Sequence, residues 1–369
     1  MIDLDLAGYE AINAARALDE FGIELSPDAE RLLHRLNDLR QNEPPQPAHN
    51  LVALLIAALV TVALTMMLQR QSALAGIEWQ LRETAQARRI LQGAEDWALL
   101  ILREDARRSL IDHLGEPWAI PLQEGRLADF LKDSADAAAL NQSRVQDVWL
   151  SGRIVDADAR YNLMRLTIPG AAQPRERALW LRIAAQAELP AELAREVMQL
   201  YAPPPAMDAS KNTLATSPQA QAFQAPPPFS LAHLIAQVPA LAPWAAPLSA
   251  LTVVLPDATT INVNTASKPV LMALMPGLDD AQAERFMDLR RKAPWRDLNM
   301  IGATFADKPL AMDVAQAGVA SRYFFVTAQV RLTADADAST VVNMVTLLER
   351  LPQENRVRVV RRDFGAVAP

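Results

Sequence analysis

The 369-residue chain contains no cysteine, which removes disulfides, thiolate metal sites and cysteine nucleophiles from consideration. Histidine is scarce as well. His34, His49, His113 and His233 are too scattered to form a metal-ligand motif. Charged residues make up 21%, and the net charge of −7 with a pI near 5.3 lacks the basic footprint of a general nucleic-acid binder. The catalytic signatures are also missing: no G-x-S-x-G elbow, no phosphate loop, no G-x-G-x-x-G and no H-E-x-x-H. Together these absences argue against an enzyme and against any cofactor.

What is present is apolar. Residues of that class make up 51% of the chain, enough to bury a core and to set wholesale disorder aside. The run from Leu51 to Leu68, LVALLIAALVTVALTMML, carries no charge and only Thr61 and Thr65 as polar residues. Eighteen residues at about 1.5 Å each just suffice to cross most of a bilayer core. Val52, Leu54, Leu55, Ile56, Leu59, Val62 and Leu64 are the expected membrane anchor. Fifty residues precede the run and no small-x-small site follows it, so a cleavable signal peptide does not fit. The ten acidic residues against four arginines before the span give no positive-inside support for a cytoplasmic N-terminus.

Residues 1–50 read as an acidic helical extension, with a helix start at Ser26-Pro27 and leucines 32, 33, 36 and 39 at helical spacing. After the span, Leu74, Ile77, Leu81, Leu91, Ala94, Ala98 and Ile101 recur at amphipathic spacing, and no proline occurs between Asn50 and Pro117. One helix over about 51–113, roughly 90 Å long, is the expectation. Its apolar face is the expected assembly surface. Strand character follows over Val145–Leu166, then helical blocks at 176–201, 230–246 and 267–301. A loop rich in proline, alanine, glutamine and serine, 202–228, divides the first two. Alternation over Tyr323–Leu332, with Val341–Leu348 and Val357–Val360, predicts a closing antiparallel meander. The fold class expected is α+β, the long helix packed on the antiparallel sheet.

Carboxylate pairs at Asp156/Asp158, Asp279/Asp280 and Asp335/Asp337 are the places where Ca²⁺ would bind, though none shows a complete ligand pattern. Ile261–Ile301 resembles a helix-hairpin-helix module whose turn is Pro276, Gly277 and Asp279. Such modules in DNA-uptake proteins hold phosphate on backbone N–H groups. Here Asp279 stands where DNA-binding versions carry a second glycine, and with Asp280 it places negative charge at the anion position. A membrane-tethered DNA-binding protein is thus the rival reading, with nucleic-acid binding not expected.

Four separated blocks then resemble the type II secretion system protein K family, the largest minor pseudopilins, over roughly residues 51–365. They are Gly93–Ala98 with His113–Trp118; Gly152–Asp156 with Arg160–Leu163; Ile261–Ala266 with its hairpin; and Ser321–Phe324 with Arg356–Arg362. The resemblance implies a pseudopilin fold carrying an inserted all-α domain of helix-hairpin-helix or SAM-like type. Its expected layout is an extension at 1–50, a span at 51–68, helix and first strands at 69–166, the insert at 167–310 and the closing meander at 311–369. It implies a subunit of the pseudopilus tip, partnered by minor pseudopilins of the I and J types and by the major pseudopilin. The subunit would be held in the inner membrane with its C-terminal domain in the periplasm. The leader-processing junction would be Leu51–Val52, where prepilin leaders end instead on glycine. The fifth residue from Val52 is Ile56, where major pilins place a glutamate; a tip subunit has no neighbour above it to pair with one. The insert also lacks an Asp-rich segment near 200–215, carrying Ala202–Pro205 there.

Overall fold

The computed structural model describes residues 31, 34, 47–130, 148–203, 227–306, 310–335, 338–351, 354 and 356–365, with backbone alone for 47–52, 68, 69, 71–80, 333–335, 338 and 339. The chain divides into two compact units, Met1–Arg82 and Glu83–Pro369. Helix α1, Pro47–Arg108, contributes to both. Then come β1 (Leu122–Arg126), the short α2 (Leu127–Phe130), β2 (Val148–Asp156) and β3 (Tyr161–Asn162). Helices α3 (Gln173–Gln186), α4 (Ala191–Leu200), α5 (Leu231–Gln237) and α6 (Ala245–Leu251) lead to β4 (Thr252–Val253) and β5 (Ile261–Asn262). Next are α7 (Lys268–Leu274), α8 (Asp280–Lys292), α9 (Leu298–Thr304) and β6 (Ala317–Gly318). The long strands β7 (Tyr323–Asp335), β8 (Ala338–Leu351) and β9 (Arg356–Phe364) close the chain.

In the second unit five antiparallel strands lie in the order β1-β2-β7-β8-β9. The chain leaves the sheet after β2, builds α3–α9, and returns as β7 directly beside β2, Asp156 opposite Phe324. Sequence alternation assigns the faces. Phe324, Val326, Ala328 and Val330 face α1, while Tyr323 and Phe325 face the other side with Val253, Leu255, Val345 and Leu347. On α1, Ala87 and Leu91 meet Val148, Leu150, Val330 and Met344; Ala98 and Leu102 meet Trp118, Phe324, Val326 and Leu348. The 87-91-98-102 spacing keeps one stripe on the sheet, and each fully buried leucine contributes about 1.5–3 kcal/mol. A Cβ on Gly152 would sit 3.0 Å from the Thr327 carbonyl oxygen, so the β2–β7 approach requires glycine there.

The helical block has its own core. Trp180, Tyr161, Tyr201, Phe286 and Phe305 are fully buried in it, and Trp180 Nε1 donates to the Ala194 carbonyl at 2.8 Å. Arg165 and Glu176, both buried, lock β3's following turn to α3 through two hydrogen bonds of 2.8 and 2.6 Å.

Several expected boundaries move. The long helix ends at Arg108, not near 113: Ser109 N–H makes the last turn's bond to Asp105, and Ser109 Oγ then accepts Ile111 N–H, competing with the helix. The strand expected over 145–166 stops at Asp156, where Asp158 N–H turns back onto the Asp156 carboxylate. The helical block at 176–201 breaks at Glu188, which adopts φ 54 before Leu189-Pro190. Strand β1 has no counterpart in the sequence expectation; its LQEGR stretch carries little alternation.

Candidate functional site

Among the described residues of the first unit, the anchor side chains Leu54, Leu55, Ile56, Leu59, Val62 and Leu64 are all exposed, as are Val60, Met66 and Met67. They cover every side of the helix. A helix apolar all round has no polar face to give to water and calls for lipid or protein around it. Thr61 and Thr65 do not contradict this, since each hydroxyl donates to the carbonyl four residues back, at 2.8 and 2.7 Å. Among the described residues no helix is long and apolar enough to cross a membrane. The described side chains of the uncharged run cover 53–67, about 22 Å of helix, short of a core of about 30 Å. The side chains of Leu51 and Val52, the expected leader junction, lie outside the described residues, as do those of Leu74 and Ile77.

The remaining members of the expected assembly face differ in burial. Leu91 and Ala98 are buried against the sheet, with Ala94 and Ile101 partly buried beside them, whereas Leu81 is exposed. Side chains already packed on the chain's own sheet are not available to another subunit. The outward side presents Trp97 and Leu100, each more than half exposed. Beside the stripe sits a buried charge: Glu95, 1% exposed, accepts Thr346 Oγ1 at 2.7 Å and Arg362 Nε at 2.8 Å, tying α1 to β8 and β9.

The hairpin turn is formed as its residue types require. Gly277 has φ 91, the left-handed region that favours glycine. Asp279 caps α8 in a capping box, accepting Gln282 N–H at 2.8 Å while its own N–H donates to Gln282 Oε1 at 3.2 Å. The anion position is therefore filled by the protein's own carboxylate. Lys268 Nζ is held by Asp280 and Glu284, both at 2.7 Å; Arg291 pairs with Asp288; and buried Arg290 donates to the Val263 carbonyl at 2.6 Å. These cations are engaged within the module, and the DNA-binding alternative finds no support in this geometry.

Where α1, β2, the helical block and β7–β8 meet lies a buried polar joint. Asp156 Oδ2 accepts Asn262 Nδ2 (3.0 Å), Thr265 Oγ1 (2.5 Å) and Ser321 Oγ (2.6 Å). Asp158 Oδ2 accepts the N–H groups of Arg322 and Tyr323 at 2.7 and 3.1 Å. Asp112 Oδ2 accepts Ser321 N–H at 2.6 Å, and its own N–H donates to Val319 at 2.9 Å. Arg350 bridges Asp105, at 3.0 Å, and Asp112, and also donates to the Ser321 carbonyl at 2.9 Å. Asp105, Asp112 and Glu116 bring one carboxylate oxygen each within 4.8 Å of one another. The cation between Asp105 and Asp112 is the guanidinium of Arg350, and Glu116 Oε2 is occupied by His113 N–H and Trp118 Nε1–H at 3.0 and 2.8 Å. Of the carboxylate pairs weighed for Ca²⁺, Asp156/Asp158 serves this joint and Asp279 serves as a cap; Asp337 lies outside the described residues, and only the backbone is described for Asp335.

Burial raises the four aspartates of this joint. Asp105 is pushed up to about 7 by desolvation and by the charges of Glu116 and Asp112, against the pull of Arg350. Asp156 rises to about 7 and Asp158 to about 6, desolvation leading in both, and Asp112 is raised by the same cause.

Comparison with known proteins joins these parts. Residues 261–321, from β5 through the hairpin to the joint, match the family model for type II secretion system (T2SS) protein K. Type II secretion system protein K of Pseudomonas aeruginosa is 26% identical over 337 residues, covering 85% of this chain and 91% of that protein. The chain resembles type II secretion system protein K over most of its length. A chain of the GspK–GspI–GspJ complex from enterotoxigenic Escherichia coli has the same fold, with a TM-score of 0.54 at 19% identity. That match spans 78% of this chain and 99% of that one.

The stretch matching protein K owes its residue types to the joint. Asn262, fully buried, shares its side-chain N–H groups among the Asp112 carbonyl, Asp156 and Ser321. Asn264 reaches across to Trp295, accepting its N–H and donating to its carbonyl, both at 2.9 Å. No hydrophobic residue could replace either without orphaning several buried groups.

Proposed function

We propose that this chain is a minor pseudopilin of the protein K type, working at the tip of the type II secretion pseudopilus in export across the outer membrane. The similarity to protein K across 85% of the chain carries this reading. On it, residues 51–68 anchor the subunit in the inner membrane, the second unit lies in the periplasm, and 167–310 is the inserted domain, helical except for the two-residue strands β4 and β5 rather than all-α. The exposed apolar turns at 53–67 support the anchor, and the engaged cations of the hairpin support a structural role over nucleic-acid binding. Minor pseudopilins of the I and J types are the expected partners, as in the complex whose chain shares the fold. Contact would run along the outward side of α1 in the second unit, where Trp97 and Leu100 are exposed. Leader processing would fall between Leu51 and Val52.

The test is genetic and biochemical together. Deleting the gene should abolish secretion of type II substrates into the medium, and the full chain should restore it. The tagged full chain should also co-purify from detergent with the I- and J-type pseudopilins of its own operon. Normal secretion in the deletion strain, or a chain recovered without those subunits, would refute the assignment.

A further inference from the structure

The joint holds five carboxylates at under 9% exposure: Asp105, Asp112, Glu116, Asp156 and Asp158. Two buried arginines stand beside them, Arg350 and Arg160. Other charged neighbours are spent elsewhere. Arg322 pairs with Glu349 and Asp257, Arg358 pairs with Glu349, and the helical block gives the joint's carboxylates the neutral side chains of Asn262, Thr265 and Thr259. His113 lies 3.8 Å from Glu116 on the solvent side. Five buried negative charges against two positive ones cannot all persist, because an uncompensated charge in a low-dielectric interior either pairs or neutralises. The atoms identify where neutralisation is needed. Asp112 Oδ1 is buried and has no hydrogen-bond partner, while Asp105, Asp112 and Glu116 bring carboxylate oxygens within 4.8 Å of one another.

We propose that this joint is a proton-binding clamp: within the cluster it forms with Asp112 and Glu116, the Asp105 carboxyl binds a proton, and that proton tightens the seam between the sheet and the helical block. Asp105 is the member that carries it, as the acid nearest solvent at 8% exposure and the one with a single protein donor, Arg350. Asp112 is the member through which the proton acts, since its side chain and backbone hold Ser321 and Val319, the residues by which the chain re-enters the sheet. The sign is opposite to that of an ordinary salt-bridged aspartate. A carboxyl whose native pKa is raised takes up a proton that the unfolded chain releases, so the stability it lends is full at low pH and is lost as pH rises through the native value, near 7 for Asp105. Asp156 and Asp158 add to the change in the same direction. The clamp is thus firm in mildly acidic surroundings and slack in alkaline ones.

The experiment is thermal unfolding of the full chain in detergent from pH 6.0 to 8.5, with Asp105→Asn alongside. The midpoint of the wild type should fall as pH rises. Asp105→Asn, neutral at every pH, should flatten that dependence by about one linked proton and be the more stable of the two at pH 8.5. A wild-type midpoint that is flat or rises with pH, or an Asp105→Asn slope equal to the wild type's, would overturn the proposal. So would a midpoint at pH 8.5 raised by millimolar calcium chloride in the wild type but not in Asp105→Asn, which would assign the cluster to a cation. Should the variant fail to fold, infrared spectra of the wild type decide. A carboxylic-acid carbonyl band present at pH 6.0 and gone at 8.5 supports the clamp, and its absence at pH 6.0 refutes it.

Discussion

The pair Arg165–Glu176 offers the sharpest test of how the helical block is held. Both side chains are nearly excluded from water, at 5% and 2% exposure, and the guanidinium meets the carboxylate with two parallel bonds of 2.8 and 2.6 Å. Arg165 also donates to the carbonyls of Thr259 and Ala315 at 2.9 and 2.8 Å, so one residue pins the turn after β3 to α3, to the loop before β5 and to the segment before β6. Glu176→Ala leaves a buried guanidinium with two neutral acceptors. Breaking such a pair costs about 3–5 kcal/mol, and the surviving carbonyl bonds put this case at about 3 kcal/mol. Arg165→Met should cost more, because it strands a buried carboxylate and two carbonyls together. Adding Glu176→Leu to Arg165→Met removes the stranded charge, so the double variant should be more stable than Arg165→Met alone. Urea unfolding of the full chain in detergent measures all three. An additive double variant, worse than either single, would show that the buried ion pair is not an energetic unit.

Three further outcomes follow from the same reasoning. Gly277→Ala should destabilise by about 1–2 kcal/mol, since an L side chain is forced into the left-handed region, and urea midpoints check it. The full chain should show no more than weak duplex-DNA binding, with Kd on the order of 10⁻⁴ M at physiological salt; fluorescence anisotropy giving low micromolar affinity would restore the nucleic-acid reading. A periplasm-active reporter should be active when fused after Pro369 and silent at Pro45, and the reverse pattern would invert the topology.

Much of the fold was legible because its signals are periodic. The α1 stripe of Leu91, Ala98 and their neighbours repeats at helical spacing, and the alternation from Tyr323 to Leu332 marks a two-faced strand whose sides the structure fills with different cores. The hairpin was legible for a different reason: a glycine followed by Asp279 three residues before Gln282 is a turn and a capping box written in local residue types. What periodicity could not tell was which partner a stripe meets. An amphipathic helix reads the same whether its apolar side covers its own sheet or another subunit. Here the sheet takes Leu91 and Ala98, leaving Trp97 and Leu100 outward.

The joint was illegible because nothing about it is local. Asp112 and Arg350 stand 238 positions apart, and Asn262 lies 150 from the carbonyl and 106 from the carboxylate it bonds. Read alone, Asp156 and Asp158 look like an ordinary turn after a strand, and Asp112 like a helix end. Only when β7 pairs with β2 do Ser321 and Asp156 come within 2.6 Å of each other. An insertion between two neighbouring strands creates this situation of necessity, since the chain must leave and re-enter the sheet at one place. The backbone groups freed at that exit and entry need partners, and short polar side chains from the helical block and from the segments around the sheet supply them. Carboxylates are the acceptors here because the freed groups at re-entry, Ser321, Arg322 and Tyr323, all present N–H. Gathering acceptors for those donors concentrates negative charge in a dry space. Arg350 is the residue that makes the concentration tolerable.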